Sequence, residues 1–341
     1  MNFLFLLLQM RIFQEFFFFG EIDRPIKRQT INSTAKNINR IDFAFGGTAY
    51  MLKTIKEYVK LMRIRHWIKN FLLFLPAFFA GRLFEAAMFS ALVPGFFAMS
   101  LYSSAVYVFN DLCDAPKDRQ NETKRERPIA KGTVSGRAAV ILIAVLIILA
   151  SLLNLTACGF SLPALLPLVF LIFNIGYSAG LKNVPILDLV ILVSGYIIRI
   201  FYGSLATGIA VSGWFFMTIV ALSFFLAFGK RRNEKRSPDS ESRPVLARYT
   251  ETFLTEGTYL FLALFITFYA LWSMHGETAI SPAAFTVPLV IVIALRYSHD
   301  IEKGGGGDPV GVIFSDIVLW ILGAGYLGFM TYLIYLGGAP S

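Results

Sequence analysis

With 341 residues, 56% of them hydrophobic and 15% aromatic, and a mean hydropathy of +0.63, the chain holds more apolar sequence than a soluble domain of this length would bury. The formal charge of +9 does not call for nucleic acid, because Lys and Arg collect in alternate gaps between long apolar runs, which is a membrane-topology signal. Two cysteines without metal-ligand spacing and three scattered histidines give no zinc site, no Ser-His-Asp arrangement and no expected disulfide.

Residues 1–50 begin with MNFLFLLLQM, which lacks a basic start and meets Arg11 before reaching a spanning length. Polar sequence from Glu21 to Asp42 follows without helical periodicity. This stretch is expected to be a poorly structured, dispensable extension. Met51 is then the true start of a single transmembrane domain, 51–341.

Apolar stretches follow at about 67–84, 86–109, 138–156, 159–180, 187–208, 213–229, 256–274, 281–297 and 317–337, each near the ~20 residues that cross a bilayer. None alternates with period two, so helices and not a barrel satisfy the backbone in lipid. The expected fold is all-α: a polytopic bundle of about nine transmembrane helices. The first span is the weakest, being short and interrupted by Pro76. Basic residues precede the first span and fill the gaps after the second, fourth, sixth and eighth, whereas the opposite gaps offer only Arg82. This places the N-terminal side and the charged loops in the cytoplasm, on a multi-pass protein of the cell (inner) membrane. Attraction to anionic lipid is a second use of the same charge.

The end of the second span reads Asn110-Asp111-Leu-Cys-Asp114-Ala-Pro-Lys-Asp118. At about 100° per residue, positions 110, 111, 114 and 118 fall near 0°, 100°, 40° and 80°, one face if the helix persists past Pro116. Four oxygen-bearing side chains gathered this way suit Mg²⁺, and Mg²⁺ at a membrane surface suggests a diphosphate held through the metal. Asn110, Asp111, Asp114 and Asp118 are the candidate metal ligands, and the three aspartates, together with Asp188 further along the chain, candidate catalytic residues. The loop beyond supplies Lys124, Arg125, Arg127 and Lys131, donors for a second anionic group.

The next charged turn, between the fourth and fifth spans, runs Tyr177-Ser-Ala-Gly-Leu-Lys182-Asn-Val-Pro-Ile-Leu-Asp188. Arg199 follows Asp188 by about three helical turns on nearly the same face. An arginine at that depth is costly unless it faces a polar cavity or other polar groups. Asp188 and Arg199 therefore read either as lining one cavity, with Arg199 a deeper substrate contact, or as a structural intramembrane pair bridged to other helices. Gly229-Lys230-Arg231-Arg232 closes the sixth span as a candidate phosphate clamp. Arg296 to Pro309 includes four glycines but has neither the GK[ST] ending nor the strand context of a nucleotide loop.

These motifs resemble the UbiA superfamily of intramembrane prenyltransferases, whose acidic motif is complete here. RIRHWIKNFLLFLP, NDLCDAPKDRQNETKRERPIAKG, YSAGLKNVPILD, GKRRNE and RYSHDIEKGGGGDPV together resemble its polyprenyl-phosphate phosphoribosyltransferase branch. The similarity runs from about Arg63 to the C-terminus. It implies a helical bundle with its active site at the cytoplasmic face, Mg²⁺ as cofactor, 5-phosphoribosyl diphosphate as donor and a decaprenyl-like polyprenyl phosphate as acceptor. The product would serve cell-envelope glycan synthesis. It also implies that Lys69, Lys124, Arg125, Arg127, Tyr177, Lys182, Asp188, Lys230 and Arg231 surround the sugar and its phosphates. Two departures stand out. His66 replaces a glutamine frequent in relatives, and Asp188 is the sole acid where aromatic prenyltransferases carry DxxxD. An aromatic prenyltransferase and an anion transporter are the competing readings. The transporter lacks a visible internal repeat. A homo-oligomer is compatible with the sequence.

Overall fold

The computed structural model describes residues 54–237, 240, 243–274, 281–302, 311–312 and 315–337. The proposed 1–50 extension, the start at Met51 and the glycines of 304–307 lie outside the described residues. Among the described residues every regular element is helical, and the chain forms a multi-pass membrane bundle. Eight helices are long and apolar enough to span: α1 (Ala86–Asp118), α2 (Gly136–Cys158), α3 (Leu162–Ala179), α4 (Leu187–Thr207), α5 (Gly213–Arg236), α6 (Glu251–Ser273), α7 (Pro282–Glu302) and α8 (Ile317–Leu336).

The first expected span takes another form. A helix over 54–62 ends at Arg63, and an eleven-residue 3₁₀ helix, Ile64–Phe74, runs directly into a five-residue α-helix, Leu75–Phe79. Pro76 sits in the first turn of that α-helix, where a missing N–H costs nothing, so it starts the helix instead of breaking one. A 3₁₀ helix rises about 2.0 Å per residue, so this lead-in segment covers roughly 30 Å despite its shortness. Three residues per turn also stack Trp67, Asn70 and Leu73 in one row. Trp67 Nε1 donates to Ser104 Oγ at 3.0 Å and Asn70 Nδ2 to Ser100 Oγ at 2.8 Å, pinning the row to α1. On its other side α4 approaches so closely that a Cβ on Gly203 would lie 2.0 Å from the Leu73 carbonyl oxygen.

Helices α1 and α2 pair along their lengths, as do α5 and α6, where a Cβ on Gly257 would meet the Phe228 ring at 2.3 Å. Helix α4 packs against the lead-in segment, α1, α3 and α5, which puts its buried face at the heart of the bundle. Tyr335 in α8 donates to Phe78 O at 3.0 Å and accepts from Leu83 N at 3.2 Å, joining the last helix to the end of the lead-in segment and the turn after it. Ser135, Ser212, Thr250 and Asp316 cap α2, α5, α6 and α8 through their side chains. Helix α1 is longer than the expected 86–109 span. It continues through Pro116 to Asp118 and so carries the whole acidic motif on helical backbone.

Candidate active site

The acidic end of α1 meets three cation-bearing segments. Arg127 Nη1 lies 2.8 Å from Asp118 Oδ2 and 3.2 Å from Asp111 Oδ1, so a single positive nitrogen sits between two buried carboxylates. Arg63 Nη2 reaches the same Asp111 oxygen at 2.6 Å, and its guanidinium carbon stands 5.1 Å from the Tyr107 ring centroid. Lys182 Nζ contacts Asp114 Oδ1 at 2.5 Å. Three carboxylates are thus matched by three cations drawn from three segments. Asn110 Oδ1 accepts from Ser178 Oγ at 2.7 Å, which ties the motif to α3.

Local sequence sets these positions. Asn121 Oδ1 accepts from the N–H groups of Thr123 and Lys124, an Asx turn that folds the α1–α2 loop back on itself. Arg127 then precedes Pro128, which opens the helical turn Pro128–Lys131, and Gly132 closes it at φ 82°. Arg63 is itself at φ 51°, ψ 50°, a left-handed conformation uncommon outside glycine, at the joint between the 54–62 helix and the 3₁₀ helix. The Lys182 turn has Gly180 at φ 145° before it and Ile186 at φ 68° after it.

A second network lies beside the first, with a completely buried ion pair at its centre. Arg231 donates through Nε to Asp188 Oδ2 at 2.6 Å, through Nη1 to Glu234 Oε2 at 2.6 Å and through Nη2 to Tyr177 Oη at 2.9 Å. Arg231 and Asp188 are both 0% exposed, so each is the other's compensation in a low-dielectric setting. Arg243 Nη1 joins at 3.1 Å from Glu234, and Tyr249 Oη donates to Asp188 Oδ1 at 2.5 Å. Burial, and next the bond to Asp188, holds the Tyr249 phenol well above its ordinary pKa.

The expected site residues thus fall into groups. Asn110, Asp111, Asp114, Asp118, Arg127 and Lys182 come together, and Tyr177, Asp188 and Arg231 form the adjoining network. Arg125 is exposed on the loop, while Lys69, Lys124 and Lys230 are half-buried on the lead-in segment, the α1–α2 loop and α5. Arg199 stands apart. Its donors go to Asn70 Oδ1 at 2.6 Å, Gly195 O at 2.5 Å and Ser103 Oγ at 3.0 Å, with the Phe170 ring centroid 4.8 Å away. Those neutral partners bind the lead-in segment, α1 and α4 together, and the expected pairing of Arg199 with Asp188 does not form, because Asp188 is taken by Arg231. His66 packs its ring 5.3 Å from that of Tyr107.

Sequence reasoning missed Arg63, Ser178, Glu234, Arg243 and Tyr249. Arg63 lies inside a motif already singled out but was counted only toward topology. No local pattern marks Tyr249.

The donor set suits a hard divalent cation. Asp111 and Asp118 already flank one positive centre, and Mg²⁺ is commonly held by one or two carboxylates completed by water and phosphate oxygens. Among the described residues no three His, Cys, Asp or Glu gather tightly enough to ligate one ion by themselves.

Residues 71–305 match the UbiA prenyltransferase family. The decaprenyl-phosphate phosphoribosyltransferase of Corynebacterium glutamicum is 30% identical over 293 residues, covering 82% of this chain and 86% of the relative. The enzyme of the same name from Mycolicibacterium smegmatis is 32% identical over 301 residues, covering 82% and 93%. Among solved structures, a UbiA homolog from Archaeoglobus fulgidus bound to GPP and Mg²⁺ superposes with a TM-score of 0.62 at 18% identity, over 82% of this chain and 99% of that one, a likeness of fold. The eight spans, the complete acidic motif at the end of α1 and the match across most of the bundle place this chain in the UbiA prenyltransferase family.

Proposed function

We propose that the protein transfers 5-phosphoribose from 5-phosphoribosyl 1-diphosphate to a decaprenyl-like polyprenyl phosphate at the cytoplasmic face of the cell membrane, releasing diphosphate. The product would enter cell-envelope glycan synthesis. The observation that carries this reading is the pairing of every motif carboxylate with a cation. Arg63, Arg127 and Lys182 sit where a donor bearing both a diphosphate and a 5-phosphate needs positive charge. Both acids of the second network are matched by cations, Asp188 by Arg231 and Glu234 by Arg231 and Arg243, which leaves that side without a spare carboxylate for a second metal-bound diphosphate. The names and identities of the bacterial relatives support the same substrates.

Asp111, Asp114, Asp118 and Asn110 would hold Mg²⁺, which when bound supplies Lewis-acid neutralisation of the leaving diphosphate. Lys182, Arg125 and Arg127 would grip the 5-phosphate and orient the ribose. The bond from C1 to the diphosphate breaks with its electron pair leaving on oxygen, and an acceptor phosphate oxygen bonds C1 from the opposite face, inverting it. That oxygen is already anionic, so no side chain has to remove a proton.

The test is the full chain in detergent with radiolabelled phosphoribosyl diphosphate, polyprenyl phosphate and Mg²⁺, read as label entering the organic phase. Transfer is expected. No lipid-soluble label at any chain length, together with prenylation of a hydroxybenzoate, overturns the reading in favour of an aromatic prenyltransferase.

A further inference from the structure

We propose that Tyr249 is a positioning residue for the donor site: it holds the α3–α4 turn in a strained backbone and thereby keeps Lys182 on Asp114. The proposal rests on the phosphoribosyl-transfer reading for the role of Lys182.

The strain is at Ile186, at φ 68° and ψ −45°. A β-branched residue seldom adopts positive φ, since Cβ then crowds its own backbone. Its side chain is 58% exposed, so burial of that side chain does not hold it there. Two backbone bonds do. The Ile186 carbonyl accepts from Val190 N at 2.9 Å, which belongs to the first turn of α4, and the Ile186 N–H donates to Tyr249 Oη at 2.6 Å. The same hydroxyl spends its one proton on Asp188 Oδ1 at 2.5 Å. One phenol thus fixes both the strained residue and the acid two positions later.

Tyr249 is itself anchored. It is 4% exposed, and its ring lies parallel to Phe253 with centroids 5.7 Å apart. Lys235 Nζ donates to its carbonyl at 2.6 Å and to that of Leu246 at 2.9 Å, pinning this part of the α5–α6 loop to α5. On the other side, Asn183 N donates to Gly180 O at 2.9 Å and Val184 N to Leu181 O at 3.1 Å, so 180–184 is one hydrogen-bonded unit. Pro185 joins that unit to Ile186 with a fixed φ. Releasing Ile186 from positive φ therefore swings the unit that bears Lys182.

The experiment compares Tyr249→Phe, Ile186→Gly and the double variant in the full-length protein. Phenylalanine keeps the ring and removes both hydroxyl bonds, while glycine accepts positive φ without strain. Tyr249→Phe is expected to raise KM for phosphoribosyl diphosphate about tenfold or more, with KM for the polyprenyl phosphate changed by less than about twofold. Ile186→Gly alone should behave as wild type, and in the double variant it should restore most of the lost donor affinity. A purely structural role would depress both substrates alike. Unchanged donor KM in Tyr249→Phe, or a double variant no better than Tyr249→Phe, overturns the proposal. Amide hydrogen exchange across 180–190 in the substrate-free protein separates this from the functional reading. Faster exchange in Tyr249→Phe supports the latch even if the wild-type protein transfers no phosphoribose, and unchanged exchange rejects it.

Discussion

Lys182 and Asp114 form a salt bridge, Nζ to Oδ1 at 2.5 Å, across 68 residues of sequence. It is the direct tie between the α3–α4 turn and the acid-bearing end of α1, and its partners are 16% and 27% exposed, neither sealed off nor free in water. A lysine so placed can pass from a carboxylate to an incoming phosphate with little rearrangement. Lys182→Ala should therefore raise KM for phosphoribosyl diphosphate by about 10- to 100-fold, the scale of a lost charge-assisted bond. Steady-state kinetics with labelled donor measures this. Transfer untouched by the change would keep the reaction and remove this residue from it.

Asp114→Asn and Asp118→Asn should each lower turnover by about 10²–10³, the usual scale for loss of one electrostatic contributor to a leaving group. Both proteins should still insert and migrate as folded species, since asparagine retains the shape of each side chain. Rates at limiting Mg²⁺ are the readout, and near-wild-type turnover in both variants would eliminate the metal assignment.

Arg231→Met should strike stability ahead of chemistry. It would strand Asp188, 0% exposed, with the Tyr249 hydroxyl as its remaining side-chain partner, and take from Glu234 the shorter of its two ion pairs. Removing one member of a buried ion pair costs about 3–5 kcal/mol. A large fall in the detergent melting temperature is expected, and the double variant with Asp188→Leu should recover part of it. A melting temperature equal to wild type would show that Arg231 is no keystone.

Tyr249 adds a pH dependence whose sign is fixed. Its folded-state pKa is raised, by burial first and then by its bond to Asp188. A raised folded pKa gives stability that is complete below the unfolded value, about 10, and lost as pH rises beyond it, because only the unfolded chain releases the proton easily. Wild-type protein should therefore lose thermal stability more steeply above pH 10 than Tyr249→Phe does. Parallel curves would remove the buried phenol as the cause.

Orientation can be read with single cysteines in a background where Cys113 and Cys158 are serine. Cysteine at Glu122 or Ser240 should be labelled only from the cytoplasm, and cysteine at Phe160, which is 98% exposed at the α2–α3 turn, only from outside. Labelling of Glu122 and Phe160 positions from one side would break the alternating topology.

Much of this architecture was legible because lipid leaves the backbone few choices. Apolar length and the alternation of Lys and Arg were enough to locate α1 to α8. The acidic face was legible for a related reason: a helix that continues past Pro116 must align Asn110, Asp111, Asp114 and Asp118. Other features were not legible. Nothing local says that Ile64–Phe74 winds with three residues per turn, because that depends on α4 approaching at Gly203 and on hydroxyls waiting at Ser100 and Ser104. Arg63 and Tyr249 escaped notice because their partners, Asp111 and Asp188, lie 48 and 61 residues away.

The threefold winding of the lead-in segment separates two properties that an α-helix ties together. Deleting one residue between Ile64 and Phe74 would turn everything upstream by about 120° and present the row His66, Lys69 and Leu72 to the serines of α1. Deleting three would restore the Trp67, Asn70 and Leu73 row but draw Arg63 about 6 Å toward the membrane interior, away from Asp111. Rotation and depth can thus be varied one at a time, so a short deletion series along this stretch works as a ruler for how far the Arg63 guanidinium can retreat before the acidic face loses it.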